Sequence, residues 1–160
     1  MAQIHLVIPD PNAPITLDNQ KILPPPAAPE TSGFANAQWS DTIPKLFQAK
    51  IVEALENSNY LRAVSRPLDA LTADYQLLVD IRTFRLAPGT GGAAEVEFSA
   101  KLLGGGRVVA GKVFAAKATA EAPDAPAVIA AVNEAFGKAV TELVVWTAKV
   151  LQGAASSKRP

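Results

Sequence analysis

Few residues in this chain have the means to do chemistry. His5 is the single histidine and there is no cysteine, so a two-histidine or cysteine metal site is excluded. A serine–histidine–acid arrangement would depend on one imidazole in an N-terminal strand, and the expected role of His5 is a surface or capping one. Glu95 and Glu97 stand two residues apart on one face of an alternating stretch and imitate the carboxylate pair of a hydrolase. The same face offers Lys101 and Arg82, so cross-strand ion pairing is the expected use of both acids. Gly89, Gly91 and Gly92 have the composition of a phosphate loop without its sequel, since no Gly-Lys-Ser/Thr follows and no helix is expected there. These residues predict no catalytic site, no metal and no cofactor, and so a protein that is not an enzyme.

Composition narrows the partners. Lys and Arg number 15 and Asp and Glu number 15, for a formal charge of zero. A nucleic-acid binder would show a basic excess or stripe, and Lys158 and Arg159 are only a tail, so no nucleic-acid partner is expected. No run approaches the ~18 apolar residues that would span a bilayer. The start, MAQIHLVIPDP, has neither a charged leader region nor a long apolar core. At 160 residues the chain is long enough to bury roughly 70% of its unfolded surface. One domain over residues 1–153 with a flexible tail at 154–160 is expected.

The element that must position anything functional is a helix within residues 38–58, QWSDTIPKLFQAKIVEALENS. Ser40 or Asp41 can cap its start, and Pro44 in the first turn loses nothing by lacking an N–H. Ile43, Leu46, Phe47, Ile51, Ala54 and Leu55 recur at steps of three and four as one apolar stripe, while Lys45, Gln48, Lys50, Glu53 and Glu56 are expected to point the other way. Ahead of it, residues 3–8 read as a short strand, at an edge or interrupted by bulges, because prolines 9, 11 and 14 bound it. Residues 15–23 suggest a second brief strand. Pro24, Pro25 and Pro26 then force an extended path, either a stiff linker or a proline-rich ligand for another domain.

Past the helix, residues 60–66 read as a strand ended by Arg66-Pro67, and 68–74 as a turn or a single helical turn. Tyr75, Leu77, Val79 and Ile81 alternate with Gln76, Asp80 and Arg82, which predicts a strand to about Leu86. A flexible loop over 87–93 leads to a cleaner alternation, with Val96, Phe98, Ala100 and Leu102 inward and Glu95, Glu97, Ser99 and Lys101 outward. Gly104, Gly105 and Gly106 supply a tight hairpin, and residues 107–119 return as its partner. Asp124 and Pro126 mark a second helix whose stripe, Val128, Ile129, Val132, Phe136, Val140, Leu143, Val144 and Val150, ends near Leu151. The order predicts an α+β two-layer sandwich, with two long helices on one face of a mainly antiparallel sheet. Trp146 is expected in the core, and Trp39 either staples the first helix or anchors an interface.

Residues 37–58 resemble the signature region of the ABC-type transport auxiliary lipoprotein family, where Trp-Ser-Asp followed by a proline, a leucine and a glutamine opens the first helix. Here these are Trp39, Ser40, Asp41, Pro44, Leu46 and Gln48. The stretch ADYQLLVDIRTFRL at 73–86, the glycine-turn hairpin and the closing helix are similar too, so the likeness covers residues 3–151. It implies a periplasmic lipoprotein of a Gram-negative envelope, tethered to the inner or outer membrane by a lipidated N-terminal cysteine. It also implies company: an MlaE-type permease, an ATPase and a mammalian-cell-entry-type substrate-binding subunit that move lipid between membranes. This chain departs in having no cysteine, and the expectation is that it begins after the signal peptide and lipidation site, with Met1 added or retained for expression.

Two functions follow. The first is a non-catalytic accessory component acting through protein contacts, with lipid as a further candidate partner. The second is a periplasmic binding protein that holds an apolar small molecule or lipid between helices and sheet. A carrier would enclose an apolar cavity of a few hundred cubic ångströms, whereas a scaffold would fill that layer. For partner contact, the resemblance and exposure arguments select Trp39, Asp41 and Gln48, with Pro24, Pro25 and Pro26 beside them.

Overall fold

In a computed structural model of the chain, residues 2–20, 38–65, 74–86, 93–122 and 124–157 are described. The elements are β1 (Ala2–Val7), α1 (Ile43–Ser58), β2 (Leu61–Ser65), β3 (Tyr75–Leu86), β4 (Ala93–Gly104), β5 (Arg107–Thr119) and α2 (Ala125–Ser157). The strands form one sheet in the order β2-β1-β3-β4-β5. β3, β4 and β5 make the expected antiparallel meander. Both helices lie on one face, where their stripes and the inward strand residues form a single core.

The alternation of β4 is the clearest cause of this layering. Ala94, Val96, Phe98, Ala100 and Leu102 are each at most 1% exposed, while the residues between them face the other side. Gly105 and Gly106 close the hairpin with φ of 60° and 75°, the left-handed values that glycine adopts without steric cost. Gly104 serves a different end, because a Cβ there would stand 2.4 Å from Cε1 of Tyr75. In β3 the alternation slips once: the register shifts between Ile81 and Thr83, so Arg82 and Thr83 both point outward and Phe84 returns to the core.

Phe47 fixes α1 to the rest. Its ring lies 5.2 Å from Phe84, 5.5 Å from Phe98 and 4.4 Å from Phe136 of α2, so one side chain of α1 touches both the sheet and the other helix. Burial of each such ring is worth about 1.5–3 kcal/mol. α2 is capped by Asp124, whose Oδ1 accepts from the N–H of Ala127 at 3.0 Å. From there it crosses β5 and β4 and reaches β3 and β1.

Several sequence expectations are corrected. β1 is an inner strand, parallel to both β2 and β3, although a register irregularity between Ala2 and His5 agrees with the expected bulge. His5 is accordingly only 9% exposed and not a surface residue. Residues 15–20 form a turn, because the carbonyl of Pro14 accepts from the N–H groups of Leu17 and Asp18 at 2.8 and 3.0 Å. α2 passes Leu151 and continues to Ser157, since Gly153 weakens a helix without stopping it and no proline intervenes. Trp146 is half-buried, edge-on to Phe114 at 5.5 Å. Pro24, Pro25 and Pro26, the segment 24–36 and Gly89, Gly91 and Gly92 lie outside the described residues.

Candidate functional site

The start of α1 is built by the turn at residues 14–20. A helix leaves its first N–H groups without intrahelical partners. That of Ile43 donates to the Asn19 carbonyl at 2.9 Å, and just upstream the Trp39 N–H donates to Gln20 O at 2.8 Å. The cap position belongs to Thr42, whose own side chain makes no capping bond. Neither Ser40 nor Asp41 is therefore the cap: Asp41 Oδ1 accepts from the Thr42 N–H at 2.7 Å, one step too early. Leu17, 4% exposed, plugs the turn into the core.

The three residues selected for partner contact have different settings. Trp39 is 6% exposed, its ring tilted on Phe84 at 5.1 Å, and its indole N–H has no hydrogen-bond partner among the described residues. The ring thus packs on the sheet. Gln48 does not point outward as expected: it is 1% exposed, because its Nε2 donates to Ile8 O at 2.9 Å, tying α1 to the chain leaving β1. Lys45 ties the same two segments outside, with Nζ 3.2 Å from Asp10 Oδ1. Asp41 alone among the three is exposed. Beside them an open cleft of about 440 Å³ runs between α1 and α2, with Trp39, Leu46, Phe84, Ile129 and Phe136 in its wall and Lys50 and Glu53 on its rim.

The residues with chemical potential do not converge. The N–H of His5 donates to Asp74 Oδ2 at 2.8 Å and its carbonyl accepts from the Asp74 N–H at 2.9 Å, a backbone arrangement that holds two segments together. Glu95 pairs with Lys117 at 3.3 Å and Glu97 with Arg82 at 3.6 Å. Ion pairing does explain the two acids, with one change of partner: Lys117, directly opposite Glu95 in the β4–β5 register, takes the place expected for Lys101. Among the described residues no three His, Cys, Asp or Glu side chains gather as a metal site would require. Between helices and sheet the phenylalanine cluster packs the layer, and the clefts lined by Trp39 and Phe136 and by Lys112 and Trp146 among the described residues open to solvent.

Comparison with known proteins agrees with this picture. A family model described as ABC-type transport auxiliary lipoprotein component matches residues 1–144. An uncharacterized protein of Bradyrhizobium diazoefficiens is 37% identical over 143 residues, which is 89% of this chain but 39% of that protein, so the chain spans about two fifths of its curated relative. The crystal structure of protein XCC0632 from Xanthomonas campestris superposes with a TM-score of 0.85 at 29% identity, covering 97% of this chain and 89% of that one. A PelC dodecamer structure from Paraburkholderia phytofirmans has a TM-score of 0.56 at 11% identity, covering 89% of this chain and 85% of that one, a likeness of fold alone.

Proposed function

The chain belongs to the ABC-type transport auxiliary lipoprotein component family, and from that premise we propose that it is a non-catalytic periplasmic accessory component of an ABC-type lipid transport system. It works through contacts with the permease, the ATPase and a mammalian-cell-entry-type substrate-binding subunit. Membership in a lipoprotein family implies an envelope location; tethering to the inner or outer membrane by a lipidated N-terminus of the precursor belongs to this proposal. The observation that carries the reading is the family match over residues 1–144. The filled layer between helices and sheet favours a scaffold over a carrier.

Within that reading the contact is made at the α1 start. Asp41 presents its carboxylate to the partner, Trp39 and Gln48 hold the backbone beneath it, and Pro24, Pro25 and Pro26 lie nearby in sequence. A pull-down from envelope extract with the full-length precursor, scored for a permease and an ATPase, tests the assignment, which fails if neither is recovered. Asp41→Asn tests the contact: it keeps an acceptor for the Thr42 N–H and removes only the charge. Association should fall with a melting temperature unchanged within about 2 °C. Trp39→Ala supplies the contrast, since a lower melting temperature with the complex intact would assign that ring to packing alone.

A further inference from the structure

Among the described residues the sheet ends in β5, whose one ladder runs to β4. At 13 residues β5 is a long edge, and such an edge is a template for another strand because its outward N–H and C=O groups lack partners. Proteins usually shorten, bulge or cover it. Among the described residues the covering is slight. Val109 is an extra residue between the pairs Leu103↔Val108 and Leu102↔Ala110, and the Lys117 carbonyl accepts from Lys138 Nζ at 3.2 Å.

Apolar surface collects at the same place. Val108, Val109 and Val113 are 60%, 43% and 46% exposed, and Val145 of α2 is 46% exposed. These are four of the six large exposed hydrophobic residues among those described. Val145, Trp146, Lys112 and Lys149 line an open cleft of about 430 Å³ between β5 and α2. A strand laid along β5 would send alternate side chains toward this cleft and toward the opposite sheet face, where Val113 stands.

Charge selects the occupant. The chain as a whole is neutral, yet β5 carries Arg107, Lys112 and Lys117 and no acid; Lys117 is paired with Glu95 of β4 at 3.3 Å, which leaves Arg107 and Lys112 as the cations this edge offers a partner. Lys149 flanks the cleft, with Glu142 as its one acid. Two copies meeting edge to edge would set cation against cation. We infer that the free edge of β5 docks an extended segment of a partner protein with alternating apolar and acidic side chains, which joins the sheet as a sixth strand. The inference is independent of the transporter assignment, and its test involves no transporter subunit.

The whole chain is titrated with three short capped peptides: alternating valine and glutamate, alternating valine and lysine, and the glutamate peptide N-methylated along one backbone edge. Calorimetry gives affinity and amide hydrogen exchange gives location. The glutamate peptide should slow exchange in residues 107–116 by about tenfold or more. Its affinity should fall by about tenfold or more in the Lys112→Glu/Lys149→Glu double variant, whose substituted side chains are both exposed and whose melting curve checks the fold. The other two peptides should bind weakly. The inference is overturned if the glutamate peptide does not bind, if the lysine or N-methylated peptide binds as well, or if protection appears elsewhere. Self-association that protects β5 would overturn it in favour of a second copy.

Discussion

Gln48 is a polar side chain in an apolar setting, and its use is local. Replacing it with methionine keeps the volume and removes the donor to Ile8 O, so that buried carbonyl loses a partner it has at 2.9 Å. The expected loss is about 1–3 kcal/mol, read as a lower urea midpoint with an unchanged slope. A change below about 0.5 kcal/mol would show that the bond contributes nothing to stability. The placement of Gln48 was present in the spacing: Pro44, Gln48, Ile51 and Leu55 repeat at four, three and four, which is one face of the helix. The expectation followed residue type and set Gln48 outward, which is wrong; the spacing held the inward sign, and a strand-end carbonyl is there to receive the amide. Asp41 shows the opposite error. An acid shortly before a helix looks like a cap, but Thr42 holds that position and the Asn19 carbonyl satisfies the Ile43 N–H, a contact no local pattern reveals.

At the scale of elements, the two helix starts differ and respond differently to substitution. Asp124 caps α2 with its own side chain, so Asp124→Ala should destabilise by about 0.5–2 kcal/mol and speed amide exchange in the first turn of α2. An unchanged exchange rate there would mean the bond to Ala127 is not maintained in solution. The β4–β5 hairpin offers a second test. Gly104→Ala sets a methyl 2.4 Å from the Tyr75 ring, and the ring must move, at about 1–3 kcal/mol; Gly106→Asn should cost less, since asparagine tolerates the left-handed region. The hairpin, the alternation of β4 and the α2 cap were all legible because each is set by residues near one another in sequence. The inner position of β1 was not. Ile4, Leu6 and Ile8 join the core while His5 and Val7 are buried as well, so the strand is covered on both faces. A histidine in a short segment bounded by prolines obscured the nearly continuous apolar run that marks such a strand. The bulge at Arg82 was equally hidden, because only the partner strand reveals where a register slips.

For the whole molecule, the decisive fact is that the two helices share one cluster. Phe47 touches Phe136 at 4.4 Å, and both rings lie against Phe84 of β3, so neither helix can leave the sheet without uncovering rings of the other. Unfolding should therefore be a single cooperative transition. The two tryptophans test this from opposite sides: Trp39 sits at the approach to α1 against Phe84, and Trp146 sits on α2 against Phe114. In Trp146→Phe the fluorescence follows the α1 side, and in Trp39→Phe it follows α2. Within each variant the fluorescence midpoint in urea should coincide with that of far-ultraviolet circular dichroism. Phe47→Ala should lower both midpoints together, by about 3–5 kcal/mol of stability. If Trp39 fluorescence moved before the helical signal, α1 would be a separately melting layer, and the shared cluster would not couple the helices as its geometry requires.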